Sequence, residues 1–376
     1  MPWKECDTMS LREEFVSMAM SEGANLSFLC RRFGISRTTG SKWVHRYRAQ
    51  GREGLRDSSR RPHHSPSRTE PWLEATVLKL RDRHPAWGGR KLRRRLQDLG
   101  TDPVPAASTI TEILRRHGRI DASASEKARS FVRFEHASPN DLWQMDFKGH
   151  FGLLSGGRCH PLTVLDDHSR FSLGLRACGN EQSGTVRAEW RLIFRRYGLP
   201  RAMLMDNGAP WGSARDHCHT SLTVWLMEQG IRVTHGRPYH PQTQGKEERF
   251  HRTLRAELLR GREFCDLRDA QERFDPWRDL YNTERPHEAL GLGLPVSRYT
   301  LSPRGFKEEV LPWDYGPGAE TRKVYAPGLM SYGGREYKLG KAFEGKRVGI
   351  RPLSEDGLLG VYFCQMKVHE INLHEE

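Results

Sequence analysis

Three carboxylates in this 376-residue chain are notable for where they sit. Asp146 lies in WQMDFKG behind Trp143 and Met145, and Asp206 closes AMLMD just before Asn207-Gly208. Both segments read as strands, where an isolated carboxylate is costly unless a cation meets it. A third acid comes from a helix expected from about Gln244 to Arg260, where Glu247 and Glu248 compete. At about 100° per residue, Glu247 falls among Phe250, Leu254 and Leu258. Glu248 falls with His251, Arg252 and Arg255 on the charged side, where metal and phosphate belong. Oxygen donors without cysteine suit a hard cation, Mg²⁺ or Mn²⁺ rather than Zn²⁺. Two such ions about 4 Å apart clamp the attacking and leaving oxygens of an in-line phosphoryl displacement. Sixty positions separate Asp146 from Asp206 and 42 separate Asp206 from Glu248, so the fold must bring them together.

The elements able to do so alternate between strand and helix patterns over residues 141–300, the signature of an α/β domain. WQMDFKG, CHPLTVLDD and RFSLGLRAC read as successive strands before a helix over 181–197. RAMLMDNG and IRVTHG read as further strands with the helix SLTVWLMEQG between them, and a helix over 267–282 follows the acid-bearing one. RPYHPQTQG, with the lone His240, is a polar loop. Asp166 and Asp167 in LDDHSR form a rival acid pair, read as a turn stabilised by Ser169 and Arg170 rather than as ligands. Trp143 is assigned to the core. Arg249, Arg252 and Arg255 on the acid-bearing helix are candidates for phosphate contacts.

Residues 1–55 read as a helix-turn-helix region of three short helices. Gly34 suits the turn and Ser36 the N-cap of the third helix. Leu26, Leu29, Cys30, Phe33, Trp43, Val44 and Tyr47 recur at spacings of three and four, which predicts buried faces. That leaves Arg37, Thr38, Ser41 and Lys42 outward, where such a motif reads DNA. Residues 31–68 hold eleven Arg or Lys against two acids. Gly40 inside the third helix costs about 1 kcal/mol against Ala, with no reason visible in the sequence.

Residues 56–70 form a basic linker. A second helix-turn-helix-like region spans 71–118, with Ser108 or Thr109 capping its last helix and Arg90, Lys91, Arg93, Arg94 and Arg95 on its middle one. Arg90, Lys91 and Arg94 join the expected DNA contacts. Residues 119–140 read as a linker, and the short β-like runs of 310–376 suggest a small β-barrel that binds target DNA or joins protomers.

Lys+Arg 61 against Asp+Glu 47 gives a formal net charge of +14, which favours a polyanionic partner. No apolar run nears the roughly 18 residues of a membrane span, and the first residues lack the apolar core of a signal peptide. The expected location is therefore cytoplasmic, in association with the nucleoid through DNA. Seven scattered cysteines without a CxxC pair argue for a reduced protein without thiolate zinc.

The succession WQMDFKGHF, LTVLDDHSRF, MLMDNGAP and HPQTQGKEERFHRTLRAEL resembles the catalytic core of the DDE transposases and retroviral integrases. It is most similar to bacterial insertion-sequence transposases with N-terminal helix-turn-helix regions, over residues 10–300 or so. The resemblance implies an RNase H-like mixed sheet and a metal-binding triad mapping to Asp146, Asp206 and Glu248, the last three residues after the loop Gly245. It also implies metal-dependent cleavage and strand transfer on double-stranded DNA, at the terminal inverted repeats of the element, by one in-line displacement used twice. A homo-oligomer is expected, because two DNA ends must be paired. The chain departs from the pattern twice. His63 and His64 lack the cysteines of the integrase zinc module, so no structural zinc is expected, and Glu247 stands where related transposases often carry an apolar residue. Two rival readings are a non-catalytic helix-turn-helix regulator with a decayed integrase core and a nuclease of RNA–DNA hybrids. The complete triad opposes the first, and the duplex-reading helices oppose the second.

Overall fold

A computed structural model describes residues 7–57, 68–120, 135–212, 219–236 and 245–374. The chain divides at Arg68 into two compact units.

In the first unit, α1 (Thr8–Ala19), α2 (Leu26–Arg32) and α3 (Arg37–Gln50) are followed by a 3₁₀ turn, Gly51–Leu55. Ser36 caps α3 by accepting from the Thr39 backbone N–H, and Gly34 makes the turn at φ 66°. The core is Phe15, Val16, Leu29, Cys30, Trp43, Val44 and Leu55. Tyr47, expected inside, is exposed, because Phe15 and Leu55 from either side of the motif fill the space available. Gly40 now has its reason. A Cβ there would lie 2.4 Å from Cys30 Sγ and 2.9 Å from Phe15 Cζ, so α3 crosses α1 and α2 with no room for a side chain.

The second unit begins with α4 (Pro71–Arg83), α5 (Gly89–Asp98) and α6 (Ala107–Arg116), packed around Val77, Trp87, Leu92, Leu96, Ile110, Ile113 and Leu114. The cap of α6 falls on Ala106 without a side-chain hydrogen bond, so neither Ser108 nor Thr109 serves. Leu280 packs against this cluster and Arg95 pairs with Glu284, which docks the three helices on the α/β core.

The core strands are β1 (Leu142–Phe147), β2 (Phe151–Gly152), β3 (Arg158–Asp166), β4 (Ser172–Cys178), β5 (Ala202–Met205) and β6 (Arg232–His235). Interspersed are α7 (Ser183–Tyr197) and α8 (Ser221–Glu228), then α9 (Gly245–Leu254), which continues as a π turn to Leu259, and α10 (Leu267–Thr283). The order β4-β3-β1-β5-β6, with β3 antiparallel to β1 and β4 and the last three strands parallel, is RNase H-like. Side chains alternate across the sheet. Trp143, Met145, Met203 and Met205 face the aromatic layer of Trp190, Phe194 and Trp225 on α7 and α8. Leu165 and Leu175 face Phe250, Leu254, Phe274 and Trp277 on α9 and α10.

The C-terminal segment differs from a closed barrel. Strands β7 (Glu320–Lys323), β10 (Arg347–Pro352), β11 (Leu358–Phe363) and β12 (Met366–Asn372) form an open antiparallel sheet, with β8 (Leu329–Tyr332) and β9 (Arg335–Lys338) as a separate hairpin. Val324, Phe343, Val348 and Phe363 join the hydrophobic cluster of the α/β core, so these sheets lean on it. Among the described residues no helix is long and apolar enough to cross a membrane.

Candidate active site

The 60-residue spacing of the two aspartates is the strand register itself. Strands β1 and β5 run parallel with Leu142 opposite Ala202 and Gln144 opposite Leu204. Continued two residues, that offset sets Asp146 beside Asp206 on one face, with strands about 4.8 Å apart. Asp146 is also opposite Thr163 on β3. Asp206 accepts from the Gly208 N–H (3.1 Å), and its carbonyl bonds His235 Nδ1 (2.8 Å), which steadies the turn.

Neither aspartate has a Lys or Arg partner among the described residues. Burial first, then Asp206, pushes the Asp146 carboxyl up to about 7. Burial also raises Asp206. Glu181, which precedes α7, adds negative field to both, and it bonds His160 Nδ1 at 2.7 Å. Sequence reading missed Glu181 and His160, since nothing in their spacing marks them.

The raised Asp146 has a measurable consequence. Its unfolded value is near 3.9, so the folded state holds the proton more tightly. Ionisation then drains stability as pH rises from about 4 through 7. In metal-free chain, Asp146→Asn is expected to raise the Tm at pH 8 by about 2–4 °C. The gain should shrink by pH 5 in thermal unfolding, and an equal gain at both pH values would contradict the assignment.

Helix α9 brings the third acid. Glu247 is fully buried and Glu248 is exposed, as the periodicity predicts. His251, expected beside Glu248, is buried with Glu247 one turn away. Burial, followed by Lys148, pushes the His251 imidazole down to about 3, so it is neutral. Its Nδ1 lies 3.9 Å from Asp146 Oδ2. Asp206, Glu181 and Glu247 thus each lie near enough to Asp146 to act on its charge, while Glu248 stands outward at the first turn of α9. No three such side chains converge closely enough to hold an ion among the described residues.

The loop that precedes α9, with His240, lies outside the described residues, as do His63 and His64. Asp166 and Asp167 are structural. Asp166 accepts from the Ser169 and Asn140 N–H groups, at 2.7 and 2.8 Å. Asp167 accepts from Gln144 Nε2 (2.7 Å) and pairs with Lys246, tying the start of α9 to the end of β3. Arg170 pairs with Glu135 at 3.1 Å.

The expected DNA contacts fall into two groups. Arg37, Thr38, Ser41 and Lys42 are exposed on α3, Arg90 on α5, and Arg249, Arg252 and Arg255 on α9. Arg94 pairs with Asp98 at 2.8 Å, within α5. Lys91 is turned toward the core, where burial and then Arg285 push its ammonium down to about 8. Arg255 also lines a groove of about 580 Å³ with Lys148, His150, Arg260 and Arg262.

Comparison with known proteins matches this layout piece by piece. Residues 136–241 and 229–295 each match an integrase core domain. Residues 11–63 match a helix-turn-helix domain and residues 39–114 a homeodomain-like domain. Residues 319–376 match the C-terminal domain of IS481 family transposases. Segment by segment, the chain is thus similar to bacterial insertion-sequence transposases with an integrase core domain. It is 29% identical to the 39.2 kDa protein of insertion element IS476 from Xanthomonas euvesicatoria, over 62% of this chain and 65% of that one. It is 22% identical to the putative transposase of element IS5376 from Geobacillus stearothermophilus, over 97% and 88%. Among solved structures, the HTLV-2 integrase catalytic core in complex with magnesium is 12% identical over 43% of this chain and 97% of that one, at a TM-score of 0.31.

Proposed function

We propose that this chain is a DNA transposase that binds the terminal inverted repeats of its own element and cuts and joins DNA at Asp146, Asp206 and Glu248. The observation that carries the reading is the side-by-side pair Asp146 and Asp206, whose charged state burial disfavours and which has no Lys or Arg ion pair among the described residues. Such a donor set fits Mg²⁺ or Mn²⁺, and Glu248, next along α9, supplies a third oxygen donor. Two ions are expected. When bound, they supply the Lewis acidity that activates the attacking hydroxyl and stabilises the leaving oxygen.

The chain's own residues do the rest. Lys148, Arg255, Arg260 and Arg262 offer countercharge to a phosphodiester strand beside the acids. Thr163 and His251 hold the Asp146 strand against α9. Arg37, Thr38, Ser41 and Lys42, with Arg90, read or grip the duplex ends, and pairing two ends calls for a homo-oligomer on DNA.

A cleavage assay on labelled duplex ends of the element tests this. Cutting that leaves a 3′-hydroxyl, needs Mg²⁺ and stops with chelator is the expected result. Cleavage of RNA–DNA hybrids in preference to duplex ends would overturn it.

A further inference from the structure

Glu247 is, with Glu181, an acid near Asp146 that the proposed triad does not use, and its surroundings are specific. Its side chain is fully buried. Oε2 accepts from Thr163 Oγ1 at 3.0 Å, and Oε1 has no hydrogen-bond partner. The same Thr163 hydroxyl lies 2.9 Å from the Asp146 carbonyl oxygen and 2.8 Å from His251 Nε2. His251, four residues on from Glu247, shares its helix face, with Nε2 3.6 Å from Glu247 Oε2.

Thr163 is therefore a hub that joins β1, β3 and α9 directly behind Asp146. A buried carboxylate with one bond made and one oxygen unsatisfied is costly, and an apolar side chain at this helix position would fill the space without that cost. Its geometry is explained by what it holds.

We infer that Glu247, through Thr163 and His251, is a positioning residue that locks the first turn of α9 to the Asp146–Thr163 strand pair, so that Asp146 and Glu248 are aimed at one divalent cation. This rests on the metal-site reading above. Residues that orient metal ligands change affinity by about 10–100-fold when removed.

The test is Mn²⁺ binding to the DNA-free full chain, followed by water proton relaxation, with folding checked by circular dichroism. Glu247→Val and Thr163→Val are each expected to weaken Mn²⁺ binding about tenfold. Glu247→Gln, which keeps a hydrogen-bonding head group at Thr163, is expected to recover most of the loss, and Asp146→Asn to abolish binding. Wild-type affinity in Glu247→Val would show that Glu247 only fills space. Loss in Glu247→Gln as complete as in Asp146→Asn would make Glu247 itself a ligand. Should Glu247→Val fail to fold, Thr163→Val decides, and wild-type affinity there overturns the inference. Wild-type affinity in Asp146→Asn would instead overturn the metal site itself.

Discussion

Asp146→Asn and Asp206→Asn are expected to lower strand cleavage and joining by about 10³-fold or more, with binding to the element's ends largely intact. Each change keeps the side chain's shape and removes an anionic oxygen donor. A site built to stabilise charge in the transition state loses several kcal/mol when a donor of this kind goes, and each 1.36 kcal/mol is tenfold in rate. End binding survives because the residues assigned to it are elsewhere, on α3, α5 and the outer face of α9. Glu248→Gln is expected to match the aspartate changes, and Glu247→Gln to cost far less. Gel-shift titration beside a cleavage assay separates binding from chemistry. A mutant that loses both together would mean that the acids hold the fold rather than the metal.

Gly40→Leu is expected to unfold the first unit and remove specific end binding. A leucine must displace Cys30 and Phe15, both buried in a core of seven residues. Overpacking of this kind costs about 1–3 kcal/mol and occasionally more. A core this small rarely supplies more than about 3–5 kcal/mol. The second unit has its own core and should keep its Tm. Proteolysis checks the outcome, with cleavage appearing between residues 7 and 57 of the variant alone. Gly40→Ala is milder, since the gain of about 1 kcal/mol in helix propensity offsets part of the clash.

Much of the site was legible because it depends on short-range patterns. Period-two burial marked Asp146 and Asp206 as misplaced acids. Helical periodicity separated buried Glu247 from exposed Glu248. Cap and turn chemistry placed Ser36 and Gly34. What could not be read depends on contacts between distant segments. Thr163 matters because β3 pairs with β1 in one register, and Lys246 matters because Asp167, 79 positions away, lies beneath α9. Gly40 looked like a helix defect until α1 and α2 were set against it. Tyr47 had the spacing of a core residue, but residues outside the periodic stretch had already filled that core. Lys91 sat on a strongly basic helix, yet docking on α10 turned it inward. The C-terminal strands could be counted from their alternation, but whether a sheet closes is decided by which edges meet.

DNA joining is measured by supplying the chain with a duplex end already bearing a free 3′-hydroxyl, a second duplex as target, and Mg²⁺. Covalently joined products on a denaturing gel, made by wild type and absent with Asp146→Asn, are the predicted result. Tight end binding by wild type with no joined product in either Mg²⁺ or Mn²⁺ would contradict it and leave a DNA-binding regulator in its place.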